Sequence, residues 1–394
     1  VSREDIDADL RRRALLPAGL RDILPPDAQH AAQAVEQLIG CLRGHGYQRI
    51  KPPLLEFEDS LFSGPGAAMS GQTFRVMDPV SQRMMGVRAD MTVQVARLAS
   101  TRLFAEARPL RLCYAGEVLR VSADALNPER ELIQVGAELI GSEKLAAEIE
   151  VIVLAVDALL SIGIDDISVD LSLPTLVPLL CDTMGLSVAA GSPLRDALDH
   201  KDAALVAELA GPASATLTDL MLATGTASPS LEKISALDLP APAGDMIANL
   251  AAVIAGVRAA KPDLALTIDP VENRGFEYYS GIGFSLFRAG VRGELGRGGR
   301  YMANAAKPEP SMGFTLYMET LLRALPIPTA QRRLLISSDL SYDAAVKWRK
   351  AGWSTVSCLE DVGNLPAEAQ RLGCSHVLSD GVAVDVSLPA PDDF

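Results

Sequence analysis

The chain has 394 residues, of which 48% are hydrophobic, enough for a large core and two or three domains. Its net charge of −14 lacks the basic footprint of a nucleic-acid binder, so DNA and tRNA are not expected ligands. The five cysteines are scattered without a C-x-x-C and the four histidines form no H-x-x-x-H, so neither a metal site nor a redox pair is expected, and no cofactor is called for.

Scattered thiols suit a reducing compartment. The opening "VSREDIDADLRRR" is charged and holds no apolar signal region, so a soluble, cytoplasmic protein is expected. Two long apolar tracts, "LAAEIEVIVLAVDALLSIGI" and "MIANLAAVIAGVRAA", are broken by Glu148, Glu150 and Asp157, and by Asn249 and Arg258. They read as buried helices rather than membrane spans.

In chain order, Pro25-Pro26 stop the backbone, and Asp27 is placed to cap a helix that ends near Gly44 and Gly46. "YQRIKPPLLEFE" predicts a strand, and Pro52 and Pro53 mark it as an edge or interface strand. "TFRVMDPVSQRMMGVRADMT" predicts paired strands, followed by a helix over residues 92–103. "LRLCYAGEVLRV" and "LIQVGAELIG" predict strands, residues 142–162 a long helix, and "DDISVDLSL" another strand.

The texture then turns Ala- and Leu-rich, and residues 174–262 read as a helical insertion within an antiparallel sheet. "KPDLALTIDP" returns to strand, and "ENRGFEYYSG" opens the next one. "GELGRGGRY" predicts a tight hairpin, since no Lys-Ser/Thr pair follows to make a phosphate loop. "MGFTLYMETLLRAL" predicts a helix. After the linker "LPIPTAQRR" the remainder reads β-α-β-α-β. The expected fold class is therefore α+β. A core over residues 1–325 would be followed by a small α/β unit over residues 326–394.

Three groups of polar residues stand out. Arg88, Asp90, Thr92 and Gln94 alternate, so they share one side if the strand runs through them. Asp90 and Thr92 together suit an ammonium group. Taken alone, a helix cap is the favoured reading for this pair. Gln134 and Glu138 are four apart and share a strand face. Alone they read as a solvated face, but Val135, Leu139 and Ile140 argue for a buried sheet. Arg274 suits a carboxylate, gripped by two parallel bonds, and Tyr278 and Tyr279 suit a planar ring. Alone this is a strand end with an Arg–Glu pair. Taken together, the groups describe a pocket for an amino acid with a polar ring.

These residues also carry a resemblance. The ordered stretches "GYQRIKPPLLE", "VRADMTVQVAR", "YAGEVLR", "IQVGAELIG", "NRGFEYYSG", "GRGGRY" and "MGFTLYMETL" resemble the class II aminoacyl-tRNA synthetase core of the histidyl type. "RGFEYYSG" is similar to that family's histidine-specific R-G-L-D-Y-Y-T motif. The resemblance implies an antiparallel sheet flanked by helices. It assigns Asp90, Thr92 and Gln134 to the amino group of histidine, and Arg274 and Gln134 to its carboxylate. Glu138 and Tyr279 fall to the imidazole nitrogens, Tyr278 to the pocket wall, and Arg120 to the second-motif arginine.

The same resemblance departs from synthetase activity at three places. The third motif ends in "YMET", with Thr320 where the family's phosphate-gripping Arg stands. Ser122 replaces an acidic residue of the second-motif loop, and Pro128 an arginine, while Arg130 matches. The C-terminal unit is shorter than an anticodon-binding domain. A kept histidine pocket with a lost ATP grip resembles the ATP phosphoribosyltransferase regulatory subunit family. That family implies a non-catalytic chain, feedback by L-histidine, a homodimer core and a hetero-octamer with a short-form catalytic subunit. The alternatives are a histidyl-tRNA synthetase-like ligase and a histidine-binding scaffold without that partner.

Overall fold

Alternation within one strand shows how the sheet divides the molecule. In β6 (Glu131–Ile140), Val135, Ala137 and Leu139 enter the main core, while Gln134, Gly136 and Glu138 turn to the opposite face. The computed structural model describes residues 15–62, 64–122, 128–186, 192–272, 279–303, 308–326 and 331–386. The chain divides into two compact units, Val1–Pro326 and Ile327–Phe394.

The first unit opens with α1 (Asp27–Gly44). Asp27 is its first helical residue rather than its side-chain cap, because Pro26 occupies the cap position; the acid still suits the positive end of the helix. The strand expected across Pro52 and Pro53 is two strands, β1 (Gln48–Arg49) and β2 (Leu55–Phe57). Neither proline has an N–H to give to a ladder, so pairing lapses between them. Both pieces are sheet edges, as the prolines predict.

β3 (Arg75–Met77) and β4 (Met84–Val87) complete a three-stranded sheet with β2. Then come α2 (Thr92–Thr101), β5 (Leu110–Leu119), β6, α3 (Leu145–Ser161) and β7 (Ile167–Ser172). Helices α4 (Leu176–Thr183), α5 (Pro193–Asp199), α6 (Ala203–Leu209), α7 (Ser214–Leu222), α8 (Ala227–Ser235) and α9 (Ala241–Ala260) form the expected helical tract, with a two-residue strand β8 (Gly225–Thr226) inside it. This tract carries the chain to β9 (Ala265–Asp269), which lies parallel to β7 and so needs a long crossover. Helix α9 is long and apolar enough to cross a membrane by composition, yet Ile247, Leu250, Val253, Ile254 and Val257 are buried in the main core.

The unit ends with β10 (Tyr279–Arg288), β11 (Gly296–Met302), β12 (Pro310–Tyr317) and α10 (Met318–Ala324). Two expectations are corrected here. "GRGGRY" is a central strand, not a hairpin turn, and "MGFTLY" is strand before the helix starts. Glycine signals a turn in a sequence, but here it admits close neighbours. A Cβ on Gly298 would lie 2.5 Å from the Phe284 ring, and one on Gly299 2.9 Å from the Tyr279 ring. β12 is held as strand by ladders on both sides, to β6 and β11.

The nine-stranded sheet runs β1-β5-β6-β12-β11-β10-β7-β9-β8. On one face, Leu38, Leu42, Val151, Ile152 and Leu159 from α1 and α3 meet Phe314, Leu316, Phe284, Leu286, Val169 and Leu171. Glu148 of α3 and Arg300 of β11 pair at the edge of this layer, with side chains 3% and 12% exposed, so each charge is compensated where water is scarce. On the other face, Met91 at the cap of α2 and Val95 and Ala99 within it pack against Leu112, Tyr114, Leu132 and Ile140. Glu138, Arg297, Thr315 and Tyr317 also lie on that face.

The second unit holds β13 (Arg333–Ile336), α11 (Tyr342–Lys350), β14 (Ser354–Ser357), α12 (Leu365–Arg371), β15 (His376–Ser379) and β16 (Val382–Asp385). Its sheet order is β14-β13-β15-β16. Alternation in "RLLI" sends Leu334 and Ile336 to one small core and Leu335 to another. The antiparallel edge strand β16 adds to the predicted β-α-β-α-β pattern.

Candidate functional site

The polar face of the central sheet forms a cleft of about 290 Å3, its open mouth included. Asp90, Thr92, Glu138, Tyr279, Arg297, Tyr301, Gly313, Thr315 and Tyr317 line it. Cross-strand register explains the grouping. Glu138 faces Gly313, and Gly313 faces Gly299, so two glycines leave a trough beside one acid. A Cβ on Gly313 would sit 1.7 Å from Glu138 Oε2, so the carboxyl occupies the space a side chain would fill.

Glu138 is 1% exposed. Tyr301 donates its hydroxyl to Oε2 at 2.9 Å, and Tyr114 donates to Oε1 at 3.2 Å. The Tyr114 oxygen also bonds the Thr315 hydroxyl at 2.9 Å and approaches that of Thr92 at 3.4 Å. Burial pushes the Glu138 carboxyl up to about 8, opposed by the Tyr301 bond and reinforced by the charge of Asp90. Burial also pushes both phenols up, so each keeps its proton and stays a donor. Burial therefore favours the neutral acid near pH 7, and a cation arriving there would favour its ionised form.

Asp90 does two jobs. Its Oδ1 accepts the Thr92 N–H at 2.8 Å at the start of α2, and its Oδ2 accepts from Gln134 Nε2 at 2.9 Å. Gln134 Oε1 in turn accepts the Met91 N–H at 3.0 Å. The cap reading is corrected, because Met91 occupies the cap position and Asp90 precedes it, bonding the first helical N–H from outside while it also lines the cleft. The shared strand side does not hold, because β4 ends at Val87 and α2 begins at Thr92. Arg88 and Gln94 are turned away from the cleft, to the carbonyls of Glu117 and Pro52 and to Pro53 and Glu56 respectively.

Of the residues expected in the site, Asp90, Thr92, Glu138 and Tyr279 line the cleft, and Gln134 holds Asp90 from behind, fully buried. Arg120 follows β5, outside the lining, and its charge acts on the Tyr317 hydroxyl. Arg274 and Tyr278 lie outside the described residues. Sequence reasoning missed Tyr114, Arg297, Tyr301, Thr315 and Tyr317. Thr315 and Tyr317 alternate with Phe314 and Leu316, a signal hidden by reading that stretch as helix.

Compared with known proteins, residues 19–321 match the histidyl-tRNA synthetase family. An ATP phosphoribosyltransferase regulatory subunit from Rhodospirillum centenum is 52% identical over 93% of this chain and 95% of its own length. One from Paramagnetospirillum magneticum is 49% identical over 95% and 98%. The chain belongs to the ATP phosphoribosyltransferase regulatory subunit family.

Its fold is similar to that of an ATP phosphoribosyltransferase regulatory subunit/histidyl-tRNA synthetase from Bacillus halodurans, with a TM-score of 0.78 and 25% identity over 90% of this chain and 96% of that one. A histidyl-tRNA synthetase from a Nostoc species shares the fold alone, with a TM-score of 0.74 and 16% identity over 92% of this chain and 90% of that one. In this member of the regulatory-subunit family, the third-motif position is Thr320, buried in α10 and accepting a bond from Arg323 Nη2 at 3.2 Å. A threonine there supplies no charge.

Proposed function

We propose that this chain is the non-catalytic regulatory subunit of a short-form ATP phosphoribosyltransferase and that its cleft reads L-histidine as the feedback signal. The observation that carries this is the full-length likeness to regulatory subunits. The cleft supports it with matched chemistry. Asp90 and Thr92 suit the amino group, and Glu138 suits an imidazole nitrogen, backed by Tyr301 and facing Tyr279 across the glycine trough. Arg274, Tyr278, Gln134 and Arg120 complete the proposed set. The uncharged Thr320 supports the absence of ligase chemistry.

Histidine must bind the less active assembly more tightly to inhibit it. A coupling of about 1–3 kcal/mol is typical of such linkage. The proposal includes a cytoplasmic location, a homodimer core and a hetero-octamer of four regulatory and four catalytic chains. Exposed Leu54, Leu55, Val76, Met77 and Met84 on and beside the three-stranded sheet support self-association there.

The test is phosphoribosyl transfer to ATP by a purified short-form catalytic subunit, with and without this chain. The expected result is no turnover by this chain alone and a faster catalytic subunit in its presence. An unchanged rate would contradict the proposal. ATP–pyrophosphate exchange by this chain with histidine would support a ligase instead.

A further inference from the structure

The cleft is polarised along the strands. Asp90 and Glu138 place acid groups on the β6 side, and Arg297 of β11 stands across β12 from them. Two strand spacings separate β6 from β11, about 10 Å, so a ligand bonded on both sides bridges β12. The ladder row of Glu138 runs through Gly313 and Gly299, with the Glu138 carboxyl over the first and the Tyr279 ring against the second. The next row runs from Gly136 through Thr315 to Arg297. A ring bonded to Glu138 at the first row leaves Thr315 and Arg297 to meet the ligand's other end.

Arg297 is built to meet an anion there. Glu294 accepts from its Nε and its Nη2, both at 2.8 Å, and this fork fixes the guanidinium plane. Burial disfavours the cation, but the Glu294 carboxylate beside it holds the charge. Its side chain is still 27% exposed, enough to face an incoming group.

We propose that Arg297, aimed by Glu294, is a carboxylate-reading residue of this cleft and makes it select a free amino acid over the same molecule without its carboxylate. This rests on the histidine reading of the site and adds a residue that reading does not contain.

The test is calorimetric titration of the full chain with L-histidine and with L-histidinol, which has an alcohol in place of the carboxylate. The unsubstituted chain is expected to prefer histidine by at least about 10-fold. Arg297→Gln is expected to lose about 10- to 100-fold in histidine affinity while histidinol stays within about 3-fold, so the preference shrinks by that factor. Equal losses for both ligands, or an undiminished preference, would overturn the proposal. Arg297→Lys, which keeps the charge and loses the fork, carries the test should the Gln variant fail to fold: a reduced preference supports the assignment and an unchanged one overturns it. Failure of the unsubstituted chain to bind either ligand would overturn the histidine reading itself, and this assignment with it.

Discussion

Gly313→Ala is expected to abolish histidine binding, with a loss beyond about 100-fold, and to destabilise the first unit by about 1–3 kcal/mol. The added Cβ would lie 1.7 Å from Glu138 Oε2, 2.4 Å from its Cδ and 2.9 Å from the Ala137 carbonyl. The strand has little freedom to retreat, since β6 and β11 are bonded on either side of β12. Glu138 must move instead. That breaks its bonds from Tyr301 and Tyr114 and leaves buried hydroxyls to find new partners. Calorimetry with histidine and a urea unfolding curve check both halves. Affinity within about 3-fold of the unsubstituted chain would remove Glu138 from ligand recognition.

Glu138→Gln should change how stability depends on pH. In the fold this carboxyl is held up to about 8 by burial. In the unfolded chain it ionises near the ordinary value of about 4.3. Between these two values the unfolded state has lost a proton that the fold keeps. The contribution of Glu138 to stability is therefore largest at or below pH about 4.3, falls as pH rises toward about 8, and levels off above it. The loss is on the order of a few kcal/mol.

Glutamine does not ionise, so this decline disappears. The melting temperature of the variant relative to the unsubstituted chain should rise by roughly 3–6 °C between pH 5 and pH 8.5. Parallel melting curves across that range would contradict a raised Glu138. The variant should also bind histidine about 10- to 100-fold more weakly, because an amide cannot become the anion that a cationic or N–H-donating imidazole favours.

The parts of this architecture legible in the sequence were those with a two-residue period. "LIQVGAELIG" announces both its core face and the Gln134–Glu138 face, and the structure places Glu138 in the cleft with Gln134 buried behind Asp90. The paired prolines announce sheet edges because a missing N–H is visible in the sequence itself.

What stayed hidden depended on partners far along the chain. Gly298 and Gly299 look like a turn until Phe284 and Tyr279 are seen against them. Arg297 sits among those glycines, so its place facing an acid pocket across β12 has no local signature. Tyr114 and Tyr301 are buried aromatics whose hydroxyls reach Glu138 from β5 and β11. The double role of Asp90 was half legible: the start of a helix shows in sequence, while its bond from Gln134 spans 44 positions.

The measurement that tests the central claim most directly is the rate of a mixture of this chain and a short-form ATP phosphoribosyltransferase as L-histidine is titrated in. The expected result is a saturable fall in rate that depends on this chain being present. A rate indifferent to histidine in the assembled mixture would contradict the reading of this cleft as the feedback sensor.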